Sequence, residues 1–202
     1  QTSAFLVDCE SFSTHAISCN GPLHTQGPMH ATCVAVPRGV AILGGRTNPR
    51  TAGGSISCTL LELPKYITLG GDVGAQAMPL QFPVGGPVPA ARWRHTAVAV
   101  SWAPDLVVLF GGCSMGKVFD DLWLLDSAAA CWQQILPEGE EQPSARHSHA
   151  AAALPCASAA ELMDEGRWMP VMLLSGGLDC EEEPLADVFV LEFRGVLSLD
   201  AK

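Results

Sequence analysis

The 202 residues are 48% hydrophobic and 16% charged, enough apolar surface for a buried core and too few charges for a disordered chain. The formal net charge of −10 opposes nucleic-acid binding by this chain on its own, because phosphate contacts need a basic surface. No apolar run approaches the roughly 18 residues of a bilayer-spanning helix, so no membrane partner is expected.

The chain opens on AFLVDCESFSTHAIS, which reads as two short strands. MHATCVAV follows as a strand opened by His30, and RGVAIL runs into the pair Gly44 and Gly45. CTLLEL, from Cys58, resumes as a further strand. The order then repeats. RWRHTAVAV carries His95, DLVVLF stops at Gly111 and Gly112, DLWLLD starts at Asp121, and CWQQI holds Trp132. It repeats again in RHSHAAAAL with His149, MPVMLLS before Gly176 and Gly177, and DVFVLEF from Asp187. Glycine stops each apolar run because it accepts backbone angles that other residues avoid.

One unit is therefore a histidine strand, a strand ending in a glycine pair, a strand beside an acid and, in the middle unit, a tryptophan strand. Four short strands per repeat is the arithmetic of a propeller blade. The unit resembles a kelch repeat, with a period longer than the usual of about 50 residues, so the loops are enlarged. The resemblance implies an all-β fold, a kelch-type β-propeller present as an incomplete arc of about three blades plus a leading half-blade. Residues 1–29 are expected to end a preceding blade, and 30–82, 92–137 and 146–196 to form one blade each. The first and third units lack the tryptophan, and the third carries an insertion from Ser158 to Trp168. The glycine pairs, His30, His95, His149 and Trp132 are structural by this reading, since each recurs by position or packs between blades. A start at Gln1, in mid-blade by this reading, is expected of a fragment of a larger protein.

The chemistry-bearing residues are sparse. Eight cysteines form no CxxC pair, so zinc is not expected, and reduced thiols in a cytoplasmic setting are. The acid clusters at 138–141 and 179–183 read as solvated loops. There is no G-x-S-x-G elbow and no G-x-G-x-x-G turn, so no catalytic, cofactor-binding or metal residue is assigned. His147 is extra to the repeat and has no acid partner by sequence. Arg92 and Arg146 are expected to tie blade to blade through hydrogen bonds. The candidate contacts to a substrate or partner are Arg46, Arg50, Arg92 and Arg94.

Some details go beyond a generic kelch repeat. LGGRTNP, RWRHTAVAVS, PSARHSHAAAAL and GGLDCEEEPLADVFVLEF, in this order, resemble the C-terminal propeller of the wybutosine-synthesizing leucine carboxyl methyltransferase family. That resemblance implies a parent enzyme that methylates and methoxycarbonylates a modified guanosine of phenylalanine tRNA, with S-adenosylmethionine as methyl donor. It implies an N-terminal methyltransferase domain of the same protein as partner. No cofactor is expected in this segment, which should be non-catalytic alone. The other reading is a protein-binding kelch module, a scaffold or a ubiquitin-ligase substrate adaptor.

Overall fold

Short apolar runs with period-two burial become antiparallel strands, and each glycine pair ends one of them. In this computed structural model the described residues are 3–7, 9–11, 13–21, 28–48, 54–64, 73–139, 141–155 and 168–194. The expected insertion falls outside them but for its last residue, and Arg50 lies outside altogether. Among the described residues there is no helix, hence none able to cross a membrane.

The first sheet contains β1 (Ser3–Val7), β2 (Thr14–Asn20), β3 (Thr32–Val36), β4 (Gly39–Leu43), β5 (Cys58–Glu62) and β6 (Val73–Pro79). Its order is β1-β2-β6-β5-β4-β3. The leading hairpin therefore does not end a separate preceding blade, as the sequence suggests. β2 pairs parallel with β6 and extends the outer edge of the first blade. An unpaired edge strand is a ready template for such addition.

The middle blade is β7 (Thr96–Val100), β8 (Ala103–Phe110), β11 (Leu122–Asp126) and β12 (Cys131–Ile135), ordered β12-β11-β8-β7. A small ribbon of β9 (Cys113–Ser114) and β10 (Lys117–Val118) follows its glycine pair. The third blade is β13 (Ala150–Ala153), β14 (Trp168–Ser175) and β15 (Val188–Arg194).

The blades pack face to face, and β7 lies against both β3 and β13. Alternate residues of the middle blade feed two cores. Ala97, Val107, Leu109, Trp123, Leu125 and Trp132 meet Leu43, Ile56 and Leu60 of the first blade. Val98, Val100, Val108, Phe110, Leu122 and Leu124 meet Val171, Met172 and Leu174 of the third. Each such aliphatic side chain contributes about 1.5–3 kcal/mol when fully buried. Trp132 is 4% exposed, against Trp123 and Phe82, its indole nitrogen without a hydrogen-bond partner.

The glycine pairs allow the blades to approach. Gly111 has φ +65, and a Cβ there would lie 2.6 Å from the Arg146 carbonyl oxygen. Gly44 stands in the same relation to the Arg92 carbonyl, also at 2.6 Å. The second glycine of these two pairs donates its N–H to that arginine carbonyl: Gly45 to Arg92 at 2.9 Å and Gly112 to Arg146 at 2.8 Å.

The same bonds correct the register of one motif residue. His30, Arg94 and Ser148 share a left-handed φ of 58, 57 and 56°. They are linked in series, Arg94 N–H to the His30 carbonyl at 3.1 Å and Ser148 N–H to the Arg94 carbonyl at 2.9 Å. His30 is thus equivalent to Arg94, one position before His95. Ala31 takes the histidine place, packed on Gly45 as His95 is on Gly112 and His149 on Gly177.

Candidate functional site

The arginine ahead of the inner strand in the middle and third blades is the most buried charge in its blade. The Arg92 side chain is 0% exposed. Its guanidinium grips both oxygens of Asp121, one at 2.8 Å, and donates to the Gly111 carbonyl at 3.0 Å and the Ala90 carbonyl at 3.1 Å. It also lies 4.0 Å from the centre of the Phe119 ring. Burial would raise the Asp121 carboxyl, but hydrogen bonds from Arg92 and Trp123 and the Arg92 charge hold it below the usual range. Arg146 repeats this with Asp187, the Gly176 carbonyl and Ser144.

These guanidinium bonds tie each blade to itself, whereas the arginine carbonyls tie it to the preceding blade. Arg92 is therefore removed as a candidate contact: its guanidinium is enclosed and engaged inside the protein.

The repeated histidines are enclosed as well. Burial lowers the His95 imidazole to about 3, assisted by the charges of Arg92 and His149. Burial lowers His149 to about 4, assisted by Arg146 and His147. Both are neutral near pH 7. His149 Nε2 lies 2.7 Å from Thr96 Oγ1, and neither His95 ring nitrogen has a hydrogen-bond partner. They fill space against the preceding blade's first glycine, which suits packing rather than proton transfer.

Arg46 and Arg94 behave differently. Isolated bridges Met29↔Arg46, Trp93↔Cys113 and His147↔Leu178 repeat once per blade just beyond the glycine pairs. They bring Arg46 of the first blade, Arg94 and Trp93 of the middle blade and His147 of the third to one cleft of about 220 Å³. Arg46 lies over the Trp93 ring at 4.9 Å. Its Nε is buried with no hydrogen-bond partner. His147, 2% exposed, has Nε2 3.4 Å from Glu182 Oε1 and Nδ1 3.1 Å from Ser148 Oγ. Cys113 forms part of the wall. Burial raises its thiol, Arg94 and Arg46 pull it down, and Glu182 pushes it up; burial prevails, so the thiol stays protonated and unreactive.

Sequence reasoning selected Arg46 and Arg94 but missed Trp93, Cys113, His147 and Glu182. Only the repeat position of Trp93, one before Arg94, could have pointed to them. The cluster at 179–183, read as a solvated loop, sends Glu182 to the cleft rim.

A larger cleft, about 600 Å³, opens between the outer parts of the middle and third blades, with Leu122, Ile135 and Phe189 in its wall. Its charged groups are Asp120, Glu138, Glu141 and Glu192, all acidic. It offers no convergent donors, so the smaller cleft is the better candidate despite its size.

Fold and site together define a β-propeller arc whose blades are latched by buried arginines and whose loops gather basic groups at one end. The model of the KLHDC2/KLHL20/DRC7 kelch-repeats domain matches residues 1–195, and the chain belongs to this kelch-repeat family. It is 27% identical over 192 residues to human tRNA wybutosine-synthesizing protein 4, covering 91% of this chain and 25% of that protein. Rat tRNA wybutosine-synthesizing protein 4 is 28% identical over 155 residues, 75% of this chain and 20% of that protein. Serine/threonine-protein phosphatase BSL2 of Arabidopsis thaliana is 30% identical over 110 residues, 54% of this chain and 9% of that protein. The chain thus spans a quarter or less of the length of these relatives.

Proposed function

We propose that this propeller arc is the kelch section of a protein acting in wybutosine synthesis on phenylalanine tRNA. Its role there is to position substrate for a methyltransferase domain of the same protein that uses S-adenosylmethionine, in the cytoplasm. The observation that carries the reading is the similarity to tRNA wybutosine-synthesizing protein 4 along 91% of the chain. The cleft adds a physical means, since Arg46 and Arg94 can meet a carboxylate or phosphate of the substrate. This chain's own part is binding and orientation.

The test is nucleoside analysis of phenylalanine tRNA from cells lacking the protein. Loss of the fully methylated, methoxycarbonylated base is expected, with its carboxylate precursor accumulating. An unchanged nucleoside profile would overturn the assignment and leave a protein-binding kelch scaffold in its place.

A further inference from the structure

We propose that the larger cleft, along β15, binds an extended segment of a partner protein, one that carries an aromatic residue with lysine or arginine two positions to either side. The proposal goes beyond the wybutosine reading and involves neither tRNA nor the smaller cleft. Two equivalent places in the repeat differ. In the middle blade β11 is paired on both sides, with β8 and with β12. In the third blade β15 pairs with β14, and its other edge has no partner strand among the described residues. Free N–H and C=O groups along a strand edge are a template for a further strand.

The middle blade shows what such a strand contributes. Its β12 supplies Trp132, which packs on Trp123 and Phe82 with ring centres 6.4 and 6.1 Å away. The third blade presents the same surroundings. Phe189 stands where Trp123 does, two residues after the acid of the latch, and Leu191 where Leu125 does. Leu136 corresponds to Phe82, each ten residues ahead of its latch arginine. Phe82 is partly buried against Trp132, whereas Leu136 is 82% exposed. Leu136, Phe189 and Leu191, with Ile135 and Phe193, border the cleft of about 600 Å³. That volume lies within the ~300–1,000 Å³ of pockets that enclose apolar ligand groups. An aromatic side chain on a strand added to β15 therefore meets the contacts that Trp132 meets. Residues 195–202 and 156–167 contain no aromatic residue, so neither stretch supplies this anchor. Charge defines the rest of the partner. Asp120, Glu138, Glu141 and Glu192 border the cleft, and none of them forms an ion pair among the described residues. Four like charges around an apolar floor repel an acidic segment and attract a basic one. Residues two apart on a strand share a face, so basic groups two positions from the aromatic one reach the same rim.

The test is titration of the full chain into a fluorescein-labelled peptide, Thr-Lys-Val-Trp-Val-Lys-Thr, followed by anisotropy, with hydrogen exchange of the outward amides of β15 measured alongside. Saturable one-to-one binding and slowed exchange along β15 are expected. Alanine in place of the peptide's tryptophan, or glutamate in place of both lysines, should weaken binding about tenfold or more. In the protein, Leu136→Ser should weaken it about fivefold and Glu138→Lys about threefold. Both positions are exposed, so these variants should melt with the parent. Absence of saturation, equal affinity for the glutamate peptide or unchanged exchange along β15 overturns the proposal. So does exchange that is already slow at those amides in the free chain, monomer or dimer by sedimentation, since the edge is then held by the chain's own residues or by a second copy. The titration contains no tRNA, so its failure leaves the nucleoside test standing, and the reverse also holds.

Discussion

The middle and third blades carry the same latch in different surroundings. Arg92 and Arg146 are both fully enclosed, each gripping the acid ahead of its blade's third strand and the carbonyl of its first glycine. Yet the Asp121 side chain is 20% exposed and the Asp187 side chain 39%. Two residues on, the middle blade has Trp123, whose indole N–H donates to Asp121 at 2.7 Å. The third blade has Phe189 there, with no N–H to give, under Arg146 at 5.5 Å. The middle blade is also covered on both faces, whereas Val188 and Val190 of β15 are 60% and 51% exposed. One motif thus makes a deeply buried ion pair where neighbours press on both sides and a half-hydrated one where they do not. The first blade has no latch at all, since Pro28 stands where the arginine would be.

The largest expected difference follows from truncating the two arginines. Arg92→Ala strands a mostly buried carboxylate and should cost about 3–5 kcal/mol in denaturant unfolding. Arg146→Ala leaves an acid that water can already reach, and should cost clearly less. Equal losses would mean that the extra cover on Asp121 contributes nothing.

Next in size is the acid response of the paired histidines. His95 at about 3 and His149 at about 4 lie below the unfolded value near 6.5. The unfolded chain therefore binds protons that the folded chain refuses, so stability is full above pH ~6.5 and falls as pH drops. Each histidine should remove about 2 kcal/mol between pH 6.5 and 5. Below pH 4 only His95 continues to add to the loss, while Asp121 and Asp187, held low by their arginines, begin to contribute with the same sign. His95→Gln should remove one proton's worth of slope in the stability–pH curve. An unaltered slope would show that the imidazole is hydrated in the folded state.

The smallest contrast uses the glycines. Gly111 and Gly176 share φ +65, but a Cβ at Gly176 meets only the Leu185 carbonyl oxygen, at 3.4 Å. Gly176→Ala should show backbone strain alone, about 1–2 kcal/mol. Gly111→Ala adds the clash with the Arg146 carbonyl, and Gly111→Val should lie at about 3 kcal/mol or slightly above. Identical melting shifts for the two alanine variants would rule out close approach between blades as the reason for the glycine.

What the sequence by itself determined about this protein is its repeat: strand, glycine pair, acid, and a tryptophan in the middle unit. Those features are legible because strand periodicity and turn chemistry are local, and three imperfect copies reinforce one another. The role of Arg92 as a tie was legible as well, though which blade it ties was not. The tertiary structure decided the rest. His30 stands one place off its apparent counterparts because Pro28 and Ala31 leave the first unit without the arginine and histidine that anchor the register. The leading hairpin joins β6 through a parallel edge, a pairing between residues too distant in sequence to leave a local pattern. The cleft is the clearest case. Arg46, Arg94, His147 and Glu182 come from loops of three blades, and only the packing of the blades brings them together.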